Sequence, residues 1–184
     1  MSDEKLQNLR HSLSHLLAAA VLELWPDAKR AIGPTIENGF YYDFDFSTEK
    51  HQPGPLEEDL HLIEEKMREM IKGWDKFEKK EISANEARKM FADNPYKLEL
   101  IEEYKDQGLS IVKSGEFVDL CRGGHIKSAK EIKSDSFKLT HLAGAYWRGS
   151  EKNKMLTRIY GVAFETKKEL DEYLRRQEEA KKRD

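Results

Sequence analysis

The chain is poor in cysteine. Cys121 is the only one among 184 residues, so no internal disulfide framework holds the fold together. A single free thiol suits a reducing compartment. The sequence also lacks any apolar run near the roughly 20 residues that cross a bilayer, and its N-terminal MSDEKLQNLR lacks the apolar core of a secretory signal. These absences predict a cytoplasmic protein with no membrane partner.

The chain does contain enough apolar material for a core. Hydrophobic residues make up 38% and aromatic residues 10%, which excludes disorder through lack of apolar groups. Charge is unevenly distributed, because residues 1–121 carry 16 Lys and Arg against 25 Asp and Glu, whereas residues 122–184 carry 16 against 10. A basic C-terminal third is able to face a phosphate backbone. Solvated side chains on a surface helix explain the same excess equally well.

Several stretches have helical periodicity or helix-capping signals. Apolar residues from Leu6 to Leu24 form one helical stripe, and Pro26 follows it. Capping boxes beginning at Ser83 and Thr166 open a short helix and a charged C-terminal helix. The predicted helices cover residues 6–24, 56–71, 83–91, 96–104 and 166–184.

Other stretches have the alternation of strands. Asn38-Gly39 is a hairpin signal, and after it Phe40, Tyr42, Phe44 and Phe46 alternate with more polar residues, which predicts a hairpin with one aromatic face. A further strand is expected to begin at Trp74 and Phe77. EFVDLC, FKLTHLAGAYW and MLTRIYGVAF supply three more. With no linker or repeat inside 1–184, we expect one α+β domain, a mainly antiparallel sheet packed with helices.

Two short motifs carry side chains suited to chemistry. HSLSH places His11 and His15 on one face of a helix, as a metal or a polarised water requires, although packing explains such a pair at least as well. CRGGH adds Cys121 and His125 on a glycine-rich loop after a strand, which completes four residues of the types that bind tetrahedral zinc. Asp119 lies two residues before Cys121, on the same side of that strand, where it is able to orient a histidine or hold an amine.

A family resemblance extends these motifs. In this order, the segments HSLSH, AIGPTIENGFYYDF, DLCRGGH, AGAYWRG and KMLTRIYG resemble the editing domain of bacterial-type threonyl-tRNA synthetases. The resemblance covers nearly the whole of 1–184 and implies the threonyl/alanyl-tRNA synthetase editing-domain fold. In that family the domain hydrolyses serine wrongly attached to threonine tRNA, so the implied partner is tRNA(Thr) mischarged with serine.

The resemblance also implies a set of site residues. It assigns catalytic roles to His11, Lys97, Asp119 and His125, and substrate-binding roles to His15, Tyr42 and Cys121. Under this hypothesis His11 and Lys97 position and activate water, while His125 and Asp119 hold the serine or the terminal ribose. The threonyl branch is described without a metal, so we expect no required cofactor. The alternative, from the alanyl relatives, is Zn²⁺ bound by His11, His15, Cys121 and His125.

The sequence departs from the family in three respects. Gly124 stands where members usually carry proline. Nothing resembles the small N-terminal domain common in the family, and nothing resembles the class II catalytic core. We therefore expect a piece of a longer synthetase, homodimeric through domains outside this chain, in which 165–184 begins a connecting helix. Two alternative functions remain open: a tRNA acceptor-binding module without activity, and a free-standing trans-editing deacylase.

Overall fold

The computed structural model describes all 184 residues, which form five α helices and eight β strands. The helices are α1 (Asp3–Leu24), α2 (Leu60–Ile71), α3 (Ala84–Met90), α4 (Pro95–Tyr104) and α5 (Lys167–Arg183). The strands are β1 (Lys29–Arg30), β2 (Thr35–Ile36), β3 (Gly39–Asp45), β4 (Glu78–Ile82), β5 (Leu109–Ser114), β6 (Phe117–Leu120), β7 (Phe137–Tyr146) and β8 (Met155–Ala163). All strand pairs are antiparallel, so the predicted α+β class is confirmed.

The strands divide into two sheets. The larger has the order β1-β3-β8-β7, with β2 also paired to β3, and the smaller has the order β4-β5-β6. The sequence indicates the strands but not this division, because two of the pairings, β3 with β8 and β4 with β5, join strands far apart in the chain.

Helix α1 is the central element of the main core. Leu13, Leu16 and Leu17 are fully buried and pack with β3 and α2 in one cluster of 24 residues. Burying a leucine side chain stabilises a fold by about 1.5–3 kcal/mol, so this stripe fixes the position of the helix. None of the five helices has both the length and the apolarity needed to span a bilayer.

The hairpin at Asn38-Gly39 is confirmed, with its turn one residue earlier than the dipeptide suggests. Ile36 pairs with Gly39, so Glu37 and Asn38 form the two-residue loop, and Asn38 has a φ of 65°. Gly39 is already the first residue of β3. A Cβ atom on Gly39 would lie 2.0 Å from the carbonyl oxygen of Gly161, so the close approach of β8 explains this glycine.

The prediction of a strand that begins at Trp74 and Phe77 is wrong about where the strand starts. β4 begins at Glu78, and residues 72–77 are a connection after α2 in which the Trp74 indole is buried and stacks on Phe117, with 6.2 Å between ring centroids. The Phe77 N–H donates to the carbonyl of Lys127 rather than to a neighbouring strand of the sheet. Packing of the large indole into the core overrides the extended pattern of the local sequence.

Candidate functional site

Four elements meet around one cavity of about 360 Å³. Six of the seven site residues expected from the sequence line it: His11, His15, Tyr42, Lys97, Asp119 and Cys121. The seventh, His125, stacks on the His11 ring with 4.0 Å between centroids. The fold therefore brings all seven together from α1, β3, α4 and the end of β6.

Local sequence determines where Lys97 lies. Asn94 caps α4, and its side-chain oxygen accepts hydrogen bonds from the N–H groups of Tyr96 and Lys97. The Asn94 amide also donates to the carbonyl of Arg30, which ties the start of α4 to β1. The first turn of α4 is thereby fixed against the larger sheet, and the Lys97 side chain is directed into the interior.

A buried charge cluster forms one wall of the cavity. Asp119, which is 2% exposed, accepts from Lys97 Nζ at 2.9 Å and from Arg30 Nε at 3.1 Å. The Tyr42 hydroxyl donates to the second carboxylate oxygen at 2.5 Å, and the Leu120 N–H donates to the first. These four donors occupy the carboxylate, which leaves Asp119 little capacity to accept from a ligand.

The ionisation of this cluster follows from burial and charge. Burial by itself raises the pKa of Asp119, but the adjacent Lys97 and Arg30 outweigh it and hold that pKa well below its usual range. Burial raises the pKa of Tyr42 well above its ordinary value, so Tyr42 keeps its proton. Burial also lowers the pKa of Lys97, an effect that the Asp119 carboxylate opposes. The wall carries one net positive charge, because two cations, Arg30 and Lys97, face one carboxylate, Asp119.

Lys97 has a hydrogen-bond donor to spare. Its ammonium carries three protons, and two of them go to Asp119 and to the Tyr42 oxygen at 3.1 Å. Lys97 also lines the cavity. The third proton is therefore available to a ligand oxygen.

On the neighbouring wall, hydrogen bonds fix the tautomers of two histidines. Nδ1 of His11 lies 3.0 Å from the carbonyl oxygen of Gly124, which only accepts, so this nitrogen carries the proton. The Ser12 hydroxyl donates to the carbonyl of Asn8, so it accepts from Nδ1 of His125 at 3.0 Å. In both rings Nε2 therefore presents a free lone pair.

Both lone pairs point at Cys121. Its Sγ lies 3.5 Å from Nε2 of His11 and 3.3 Å from Nε2 of His125. Burial raises the pKa of Cys121 to about 11, so the thiol holds its single proton at neutral pH. One proton cannot satisfy two acceptors, and one Nε2 is left free to accept from another donor or to bind a cation.

Burial also keeps the three imidazoles neutral. It lowers the pKa of His15 to about 3 and moves the pKa values of His11 and His125 in the same direction. His15 is 2% exposed, and its Nδ1 is buried without a hydrogen-bond partner.

The four His and Cys residues fit a zinc ion. Their candidate ligand atoms all lie within 4.8 Å of one another. The Sγ to Nε2 distances of 3.5 and 3.3 Å match the separation of about 3.5 Å between sulfur and nitrogen ligands of a tetrahedral zinc. The Nδ1–H of His11 donates to the carbonyl of Gly124, and the Nδ1–H of His125 donates to the Ser12 hydroxyl. Metal-bound histidines commonly donate a hydrogen bond from their second nitrogen in this way.

Comparison with known proteins indicates the family of the chain. A family model described as the threonyl and alanyl tRNA synthetase second additional domain matches residues 109–160. A protein named threonine-tRNA ligase from Thermotoga petrophila is 54% identical over 177 residues, which is 95% of this chain. A second of that name, from Borrelia turicatae, is 51% identical over 183 residues, or 99% of this chain.

The chain belongs to the editing-domain family of threonyl-tRNA synthetases. The segment that the family model matches contains Asp119, Cys121 and the entire loop to His125. The chain spans 27% of the Thermotoga relative and 30% of the Borrelia relative, so the activity of those longer proteins is not carried over to it directly.

Gly124 gives this editing domain a loop backbone that proline is unable to adopt. Gly124 has a φ of +84° and Gly123 a φ of +107°, whereas the proline ring holds φ near −65°. The proline that the family resemblance led us to expect here would require a different local backbone. Here the carbonyl of Gly124 is the group that fixes the tautomer of His11.

Three residues that position the site were not found from the sequence. Arg30 is the second cation on Asp119, Ser12 links α1 to His125 and to the N–H of Ile126, and Gly33 lies against Tyr42. Ser12 lies within HSLSH, but the motif gives no sign that its hydroxyl contacts His125. No local pattern marks Arg30 or Gly33, since each acts through a contact that forms only in the folded chain.

Proposed function

We propose that this domain hydrolyses the ester between serine and the terminal adenosine of tRNA(Thr). The observation that supports this proposal most is that one cavity presents both a free imidazole lone pair of His11 and an unused ammonium proton of Lys97. A base beside a fixed positive charge is what ester hydrolysis requires. Serine and threonine differ by one methyl group, worth only about 1–3 kcal/mol in a binding site, so a second, hydrolytic sieve is needed.

In the proposed reaction, Nε2 of His11 takes a proton from a water molecule that attacks the ester carbonyl. Cys121 donates its thiol proton to His125, the nearer ring, which leaves His11 free for this role. The spare Lys97 proton stabilises the oxyanion of the tetrahedral intermediate. When the ester C–O bond breaks, His11 returns the proton to the leaving ribose oxygen, and free serine and uncharged tRNA result.

The remaining site residues hold this pair in place, so Asp119, Tyr42 and His125 take positioning roles in the proposal instead of the hold on serine or ribose expected from the sequence. Asp119 and Tyr42 position the Lys97 ammonium, and both are saturated by the cluster itself. His125 stacks between Phe77 and His11 and so fixes the plane of the base. His15 is neutral and lines the cavity, where it contacts substrate as an uncharged wall.

Substitution of His11 or Lys97 by alanine tests this proposal. Each variant is expected to lose at least about 100-fold in the rate of serine release from Ser-tRNA(Thr), as typical for removal of a general base or an oxyanion donor. Matched controls are His141→Ala on the exposed part of β7 and Lys72→Ala after α2, which should retain the wild-type rate. A wild-type rate in His11→Ala would remove that residue from the mechanism.

A zinc-dependent form of the same hydrolysis is the second candidate, favoured by the zinc-like geometry of the four ligands. His11, His15, Cys121 and His125 would hold the ion, and zinc would supply a more acidic water or a polarised carbonyl only if one of the four side chains gave up its place to that ligand. We favour the metal-free form because the cavity already supplies a neutral base and a cation. Elemental analysis of protein purified without chelator decides: less than about 0.1 equivalent of zinc is expected, and one equivalent would contradict the metal-free form.

The partner and setting belong to the same proposal. We place the domain in a cytoplasmic threonyl-tRNA synthetase that dimerises through regions outside this chain, with tRNA(Thr) as the substrate carrier. A binding module without activity predicts tRNA binding with no ester cleavage. A free-standing deacylase predicts full activity of this chain without added synthetase.

A further inference from the structure

We propose that a groove leading out of the cavity binds the phosphodiester next to the terminal adenosine, through Arg122 and Lys79. This inference rests on the proposed function, since it takes the ester end of an RNA to lie in the cavity. The ligand class is a phosphodiester of a 3′-terminal nucleotide. Nothing in the hydrolytic mechanism itself uses these two cations.

The groove lies next to the cavity. The groove has a volume of about 390 Å³ and lies between β4, the start of β5 and the loop after β6. Four residues line both spaces: Gly108, Leu109, Ser110 and Arg122. A chain that enters the cavity from this side must pass over them.

Arg122 is held in place without an acidic partner. Its guanidinium carbon lies 4.4 Å from the centroid of the Tyr104 ring, and no carboxylate lies within ion-pair distance. A guanidinium stacked on an aromatic ring keeps its in-plane N–H donors free. That fork matches the geometry of a phosphate, which arginine binds with two parallel hydrogen bonds.

Lys79 lies on the other side of the same passage. A Cβ atom at Gly123 would be 3.4 Å from Cδ and 3.8 Å from Nζ of Lys79, so the ammonium lies over the glycine loop. Its charge is near enough to Cys121 to lower the pKa of that thiol, against the larger effect of burial. Glu81 is the only acidic residue lining the groove, so two cations face one anion.

The chemistry of the substrate explains why a phosphate would lie here. The aminoacyl ester and the 5′-phosphate are attached to the same terminal ribose. With the ester beside His11, the phosphate is one sugar away, and Arg122 follows directly after the cavity residue Cys121. Lys79 reaches the same point from β4, so the two cations form a clamp at the cavity mouth.

The test compares two serine esters, one of adenosine and one of the dinucleotide CpA. The adenosine ester has no phosphate, and the CpA ester has one phosphodiester. Arg122→Ala and Lys79→Ala are each expected to reduce the ratio of kcat/KM for the CpA ester to that for the adenosine ester by roughly tenfold, through a higher KM. Arg122→Lys should restore part of the ratio, and Glu81→Gln should increase it.

Lys72→Ala, which removes an exposed lysine outside the groove, is the matched control and should leave the ratio unchanged. An unchanged ratio in both Arg122→Ala and Lys79→Ala would overturn the proposal. Binding of uncharged CpA, followed by NMR titration, tests the groove separately from hydrolysis. Affinity that falls in Arg122→Ala supports the clamp even if neither ester is cleaved, whereas equal affinity overturns it. Absence of cleavage by the wild type would contradict the proposed function alone.

Discussion

Asp119 is the single charge on which the arrangement of Lys97 depends. It joins side chains from three other elements, since Arg30, Tyr42 and Lys97 all donate to it. Its position two residues before Cys121 allowed its direction to be foreseen from strand geometry. Lys97 had no such signal in NPYKLEL, and only the family resemblance indicated it. Arg30 had neither, because its partner is 89 residues away.

Asp119→Asn should disrupt the site and weaken the fold. The substitution leaves the buried Lys97 and the partly buried Arg30 near one another without their carboxylate, and breaking a buried ion pair costs about 3–5 kcal/mol. We expect the free energy of unfolding in urea to fall by about that amount and serine release to become undetectable. Asp93→Asn is the control, because Asp93 pairs with Lys29 at the surface. A stable, active Asp119→Asn protein would contradict the role given to the cluster.

Helix α1 and strand β3 form the scaffold of the site, and both were recognisable from the sequence. The leucine stripe and the aromatic alternation are local patterns, so they predict which residues are buried. Local patterns do not show how β3 approaches its neighbours. Gly33 is an example, because a Cβ atom there would lie 2.1 Å from Cδ2 of Tyr42.

Gly33→Ala should therefore displace Tyr42 from β3's buried face. The clash moves the ring and takes its hydroxyl away from Asp119 and Lys97, which reduces serine release by at least about tenfold and destabilises the fold by about 1–3 kcal/mol. Gly73→Ala is the matched control, since the nearest atom to its added Cβ is 3.7 Å away. The deacylation rate and the urea midpoint of unfolding are measured for both variants and compared. Equal behaviour of both would show that Tyr42 has room to move.

The domain as a whole buries one imidazole, that of His15, and partly buries those of His11 and His125, and this links its stability to pH. His15 has a pKa of about 3 in the fold, against 6.5 for the free side chain, because burial disfavours the charged ring. Between these values the unfolded chain binds more protons, so the free energy of unfolding falls as the pH drops from 6.5 towards 3. Urea unfolding of metal-free protein at pH 7 and pH 4.5 checks this.

His15→Leu serves as the comparison for that acid sensitivity. Removing one buried imidazole should make the dependence of unfolding free energy on pH shallower over the same range. His11 and His125 remain, and burial lowers their pKa values too, so part of the slope should persist. An identical slope in wild type and variant would show that His15 does not contribute.

The central claim is that this chain removes serine from tRNA(Thr) and spares threonine. The most direct measurement compares amino-acid release from Ser-tRNA(Thr) and from Thr-tRNA(Thr) at the same high concentration of the domain. Faster loss of serine is the predicted result, with His11→Ala reduced to the rate without protein. Release of both amino acids at equal rates, or of neither above the rate without protein, would contradict the account.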